Sequence, residues 1–365
     1  MLSLQFVGSS VLWSSVIGAC AVAGCAHPQA SPVQSSATPV SAPASPSALR
    51  FELARFPLPG ATAPVSLDFI FFEPGRARVW VPAGGSGSVD VFELGKPELT
   101  RVEGFPTVER EAHGKKRTVG PSSGAPGEGV VYVGNRANEQ ICAVDGATLT
   151  KGACVELGAP ADCVEYVAST REVWVTTPSK QSLAVVQTSA GGALGAVTSI
   201  AMPGEPEGYA VDEPHGLFFT NLEDKGSTLA VDVKSRAIKS SWEPGCGADG
   251  PRGIAVDSAR SLALVACTDH VQVLDLAHGG ARLGQLDTGA GLDNIDYAPS
   301  SGLLYAAAGK AARLTVARLT EHGTLEVVAS VDTVPGARNA VVDPQGNVYL
   351  ADGQSANLLR FTPVK

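Results

Sequence analysis

The chain has no basic excess: 27 Lys and Arg stand against 36 Asp and Glu, a formal net charge of −9. Nothing is left over to neutralise a phosphate backbone, so nucleic acid is excluded as a main partner. Helical periodicity is nearly absent beyond residue 50, which excludes a helix bundle. No close-spaced cysteine pair and no histidine cluster supports a zinc site. The six histidines, His27, His113, His215, His270, His278 and His322, stand singly and read as turn residues. What the chain does have is 44% hydrophobic residues, enough for a packed core, which excludes disorder throughout. Its 41 glycines and 25 prolines follow no collagen period and mark many turns. An all-β class follows.

The N-terminus reads as an address. Met1 to Gly24 carries no charge, and Phe6 to Ala23 is apolar or small, the pattern of a secretory signal over residues 1–24. Val22-Ala23-Gly24-Cys25 resembles the bacterial lipobox, which implies a lipid on Cys25; Ile17-Gly18-Ala19-Cys20 also fits but leaves a shorter apolar core. No Lys or Arg precedes the apolar run, a departure from such signals. Residues 25–48 are nearly all Ala, Ser and Pro, a tether that cannot bury a core. The folded domain is expected over 49–365.

Within that domain a strand, tight turn, strand element recurs, as in Pro251 to Asp257 before Ser261 to Ala266, and Ala337 to Asp343 before Asn347 to Ala351. The residues closing its first strand are Glu73, Val167, Asp212, Asp257, Ala298 and Asp343, spaced 94, 45, 45, 41 and 45 apart. The wide gap holds one more unit, with Val130 to Val133 as its second strand. Seven such units of four antiparallel strands predict a seven-bladed β-propeller. The last unit has one strand too few, and 51–58 is an orphan strand ahead of the first unit. It is expected to close the ring in the last blade, removing exposed edges.

Gly129 to Arg136, Ile141 to Asp145, Tyr166 to Ala168 and Glu172 to Pro178 resemble the YVTN or YncE-like β-propellers of bacterial envelopes. The likeness spans residues 51 to 365 and implies the same architecture and compartment; it specifies no ligand. Five cysteines follow Cys25. Cys142 and Cys154 fall on the third and fourth strands of blade two, where they face each other across a hairpin. Cys246 in the loop into blade five lies near Cys267 at the end of that blade's second strand. Two disulfides are expected, with Cys163 as a buried thiol, in an oxidising compartment.

Five residues before each closing position stand Asp68, Asp162, Glu207, Arg252, Asp293 and Arg338, with blade two unassigned. All six are charged, which points to a ring at the channel mouth. Its carboxylates and arginines can pair to hold blades together, or bind a small ligand or cation. Regucalcin and gluconolactonase propellers hold a divalent metal with acids and amides, and Asp293-Asn294 and Arg338-Asn339 supply both types here. Their Asn-Gly pair is absent, and two ring positions are Arg, which repels a cation. The sialidase box and the regular Trp-Asp ending of WD repeats are absent too. Ala230-Val231-Asp232 to Trp242 resembles the tryptophan-docking repeat of quinoprotein dehydrogenases once, with the Trp two places late, and reads as an ordinary strand and turn. The charged segment Glu109 to Arg117 is expected to be a solvated loop before blade two, on the channel side.

These readings predict a lipid-anchored envelope propeller that binds a small ligand or envelope partner through its channel-face loops. No catalytic residue, metal or other cofactor is expected. The alternative is a lactonase or esterase with a divalent cation in the channel. The chain is expected to be a monomer whose only contact with a membrane is its lipid.

Overall fold

Inner and middle strands are runs of β-branched and aromatic residues cut by Gly, Pro and Asp turns, so each run is short and must pair with the next in line. The computed structural model describes residues 49–112 and 115–364. Among them the strands form seven four-stranded antiparallel sheets and one two-stranded hairpin. The signal segment 1–24, Cys25 with the tether 25–48, and His113 lie outside the described residues. In blades one to six the strands run in chain order, from Phe71–Glu73 at the inner edge of blade one to Leu325–Asp332 at the outer edge of blade six. Blade seven combines Arg338–Val342, Val348–Asp352 and Asn357–Val364 with Arg50–Pro57 as its outer strand. That strand pairs from Arg50 opposite Val364 to Pro57 opposite Asn357, one residue earlier than 51–58.

Blade two begins with Pro121–Gly127, a strand with no large side chain. A Cβ on Gly124 would come within 2.8 Å of the Phe71 ring from blade one, and one on Gly127 within 2.5 Å of the Tyr166 ring from blade three. The neighbouring blades fill the space this strand leaves. Gly127 pairs with Val130, so Gly127 is the closing position and Ser122 the ring position of this blade.

The core lies between adjacent blades. Trp80 stacks on Phe71 with centroids 6.1 Å apart, and Trp174 of blade three meets Phe218 of blade four at 5.0 Å. Several closing acids are buried here and act on the fold. Glu73 accepts from Trp80 Nε1 at 2.9 Å, Asp257 from Tyr297 Oη at 2.7 Å, and Asp343 from Tyr349 Oη at 2.9 Å. Asp343 also accepts from the backbone N–H of Gln345 and Asn347 and from Asn347 Nδ2, which locks its turn. His215 and His278 pair with Asp212 and Asp275 three residues earlier, and His270 with adjacent Asp269. Asp232 caps the turn toward Trp242, whose ring stacks on Phe219.

Both disulfides form: Cys142 stands opposite Cys154 in register, and Cys246 joins Cys267. Cys163 is a free, buried thiol. The segment Glu109 to Arg117 is solvated, with Glu109, Glu111, Lys116 and Arg117 exposed. It is a hairpin rather than a loop, with Val108–Ala112 paired to Lys115–Val119.

Asp90 on the third strand of blade one is fully buried, and neither carboxylate oxygen has a hydrogen-bond partner among the described residues. Burial raises its pKa to about 6, and Arg101, then Ser88, offset this only in part. Folding thus tightens a proton on Asp90, so its support for the fold is full below the ordinary value of 3.8 and is lost as pH rises through about 6. Asp90→Asn is expected to raise the melting temperature above neutral pH and to change little in acid. Asp343→Ala is expected to destabilise by ~2–4 kcal/mol, because it orphans several buried donors at once. Urea melts of the two variants across pH check both signs.

Candidate functional site

The inner strands converge on the channel axis, so residues in one register share one level of the channel. Asp68, Asp162, Glu207, Arg252, Asp293 and Arg338 all line a single cavity of about 580 Å³ at its mouth. Ser122, the seventh position, turns away: its Oγ donates to the Ala161 carbonyl at 2.9 Å, in the seam toward blade three. Arg136, just past the second strand of blade two, fills that sector instead and bridges Asp68 and Asp162. Arg338 contacts Asp293 at 2.8 Å and Asp68 at 3.8 Å. A continuous chain Asp162, Arg136, Asp68, Arg338, Asp293 therefore runs round most of the ring. Arg252 turns instead to Glu223 at 2.7 Å, a residue outside the inner-strand register. Neither Arg136 nor Glu223 was singled out from the sequence, since both lie beyond the ends of second strands and only the ring brings them in.

Glu207 has no ion pair among the described residues. Its carboxyl is pushed up to about 8 by burial first, then by the charges of Asp293 and Glu223, so it carries its proton at neutral pH. Burial also raises Glu223, against the pull of Arg252. Backbone contacts fix these positions. A Cβ on Gly208 would fall 2.0 Å from the Arg252 carbonyl oxygen, so blades four and five meet at this level only because residue 208 is glycine. Asn339 donates to the Asp68 carbonyl at 3.0 Å and accepts from the Asn294 N–H at 3.3 Å.

That donor set does not fit a divalent cation. Asp68, Asp162, Asp293 and Glu223 each face an arginine, and the Asn339 amide is spent on seams between blades. No group of three or more His, Cys, Asp or Glu among the described residues is arranged to hold a metal ion.

Two aromatic rings meet beneath the mouth. Phe69 of blade one, 3% exposed, and Tyr209 of blade four meet across the axis with ring centroids 6.4 Å apart. On the far side lies a second cavity of about 410 Å³, lined by Tyr209, Glu165 and Asp296. Burial raises the Glu165 carboxyl to about 7 and that of Asp296 to about 6, although each accepts the N–H of the following tyrosine. Beside the mouth, a groove of about 530 Å³ runs from Arg252, Asp293 and Arg338 out to Lys310 and Gln354.

No protein-family model matches the chain, and no curated protein matches it. Solved structures with a similar fold do exist. Virginiamycin B lyase from Staphylococcus aureus superposes with a TM-score of 0.67 at 11% identity, over 86% of this chain and 100% of that one. A chain of the Kuenenia stuttgartiensis hydrazine synthase gives 0.66 at 16% identity, over 84% and 96%. A chain of the mitotic checkpoint complex gives 0.67 at 13%, over 92% and 98%. At these identities the likeness is one of fold.

Removing Arg136 leaves Asp162 without a counter-charge and Asp68 with only Arg338, at 3.8 Å. Arg136→Ala is expected to cost ~3 kcal/mol, and adding Asp162→Asn to recover part of it. Thermal melts of the single and double variants check this.

The fold is that of the seven-bladed β-propellers, with six charged inner-strand positions gathered at the channel mouth.

Proposed function

We propose that the protein is a non-catalytic binding protein of the bacterial envelope, held by a lipid on Cys25, whose channel mouth receives a small ligand or part of an envelope partner. One observation carries the binding reading: six charged inner-strand positions meet in one cavity at the channel mouth. A polar cavity of this size suits a small molecule or a protruding side chain. The anchor rests on Val22 to Cys25 and the tether behind it, and two disulfides agree with an oxidising compartment. Resemblance to the YncE-like propellers points to the same place. The metal-dependent lactonase reading finds no free donor set, because arginines occupy most of the mouth carboxylates.

Two measurements test the two halves. Radiolabelled palmitate fed to the expressing bacterium is expected to label the wild-type chain and not Cys25→Ser; equal labelling of both would remove the anchor. Small acids, amines and sugars screened by thermal shift are expected to include a class that raises the melting temperature, with the shift lost in Arg252→Ala/Glu207→Gln. A shift that survives this double variant places the ligand elsewhere.

A further inference from the structure

The hairpin Val108–Ala112 with Lys115–Val119 stands outside the seven sheets. In its register Arg110 lies directly opposite Arg117, flanked by Glu109 opposite Thr118 and Glu111 opposite Lys116. Directly opposed residues of an antiparallel ladder project from the same face, about 5 Å apart at Cβ, and like charges so placed repel. Both arginines line the channel-mouth cavity. Arg110 Nη2 donates to the Arg136 carbonyl at 2.9 Å, which ties the hairpin to the inner wall and holds this side chain at the cavity.

Three arginines of the mouth each have a carboxylate: Arg136, Arg252 and Arg338. Arg110 and Arg117 have none among the described residues. The hairpin acid at the cavity rim, Glu111, stands opposite Lys116 on the neighbouring rung. Two arginines opposite each other in register, both lining the cavity and neither in an ion pair among the described residues, offer several N–H donors to one planar or tetrahedral oxyanion. Glu207, protonated at neutral pH, adds no repelling charge to the mouth.

We propose that Arg110 and Arg117 clamp the anionic group, a carboxylate or phosphate, of the ligand seated in the mouth. This rests on the mouth being a ligand site. The clamp is a binding device, and no bond is made or broken in it.

Calorimetric titration of the full chain at low salt tests it with three probes: inorganic phosphate, benzoate and benzylammonium. Phosphate or benzoate is expected to bind with one-to-one stoichiometry, more weakly as salt rises, and at least tenfold more weakly to Arg110→Ala/Arg117→Ala. Binding of phosphate alone assigns a phosphate, and of benzoate alone a carboxylate. Arg117→Glu places a carboxylate opposite Arg110, so it is expected to abolish oxyanion binding while keeping or raising the melting temperature. That variant keeps the test valid where the double variant folds poorly. Equal oxyanion affinity in wild type and variants overturns the clamp. Binding of benzylammonium but of neither oxyanion, lost in Arg252→Ala/Glu207→Gln, overturns the clamp and leaves the mouth reading standing. No binding of any probe overturns the clamp, and the mouth reading fails with it only if the wider ligand screen is also blank.

Discussion

Eight cross-strand pairs between Arg50–Pro57 and Asn357–Val364 hold the ring shut, and everything at its centre depends on them. A propeller blade is stable only when packed between two neighbours, because its hydrophobic faces are completed by the adjacent sheets. Were blade seven to keep only three strands, its outermost strand would lie open as an unpaired edge. Closing the ring with a strand from the other end of the sequence ties the first and last blades into one cooperative unit. The mouth then inherits its geometry from the circle: seven inner strands, each fixed by both neighbours, bring side chains 270 residues apart within contact, as with Asp68 and Arg338.

The repeat made most of this legible. Closing positions spaced about 45 apart locate six blades, and the same register locates six wall residues of one cavity. What escaped was set by contacts that no local pattern carries. Blade two's inner strand, Pro121–Gly127, looks like a loop because its residues are small, and they are small because Phe71 and Tyr166 occupy the space. Arg136 and Glu223 stand outside the inner-strand register, so their place at the mouth follows from the curvature of the ring. The hairpin before blade two reads as a loop because its charged residues carry no apolar alternation that would mark its strands. Asn339 is an amide near acids in the sequence, which resembles a ligand set; in the fold its side chain is committed to the backbone of blades one and six.

Two sets of acids emerge with separate duties. Those at the closing positions, such as Asp257 and Asp343, accept hydrogen bonds from tyrosines and turn residues and specify where the chain reverses. Those at the mouth face arginines across blade boundaries and leave Glu207 over. The repeat thus uses one residue type for architecture at one end of the strand and for surface chemistry at the other, five positions apart, with Asp90 as a buried acid that serves neither.

The contact between Phe69 and Tyr209 joins blades one and four, which are not neighbours in the ring. It is a strut across the channel: a shift of either blade toward the axis is resisted by the other, so the circle is braced from within as well as closed at its rim. Above and below this strut the channel is lined by different chemistry, with paired charges at the mouth and Tyr209, Glu165 and Asp296 at the far end.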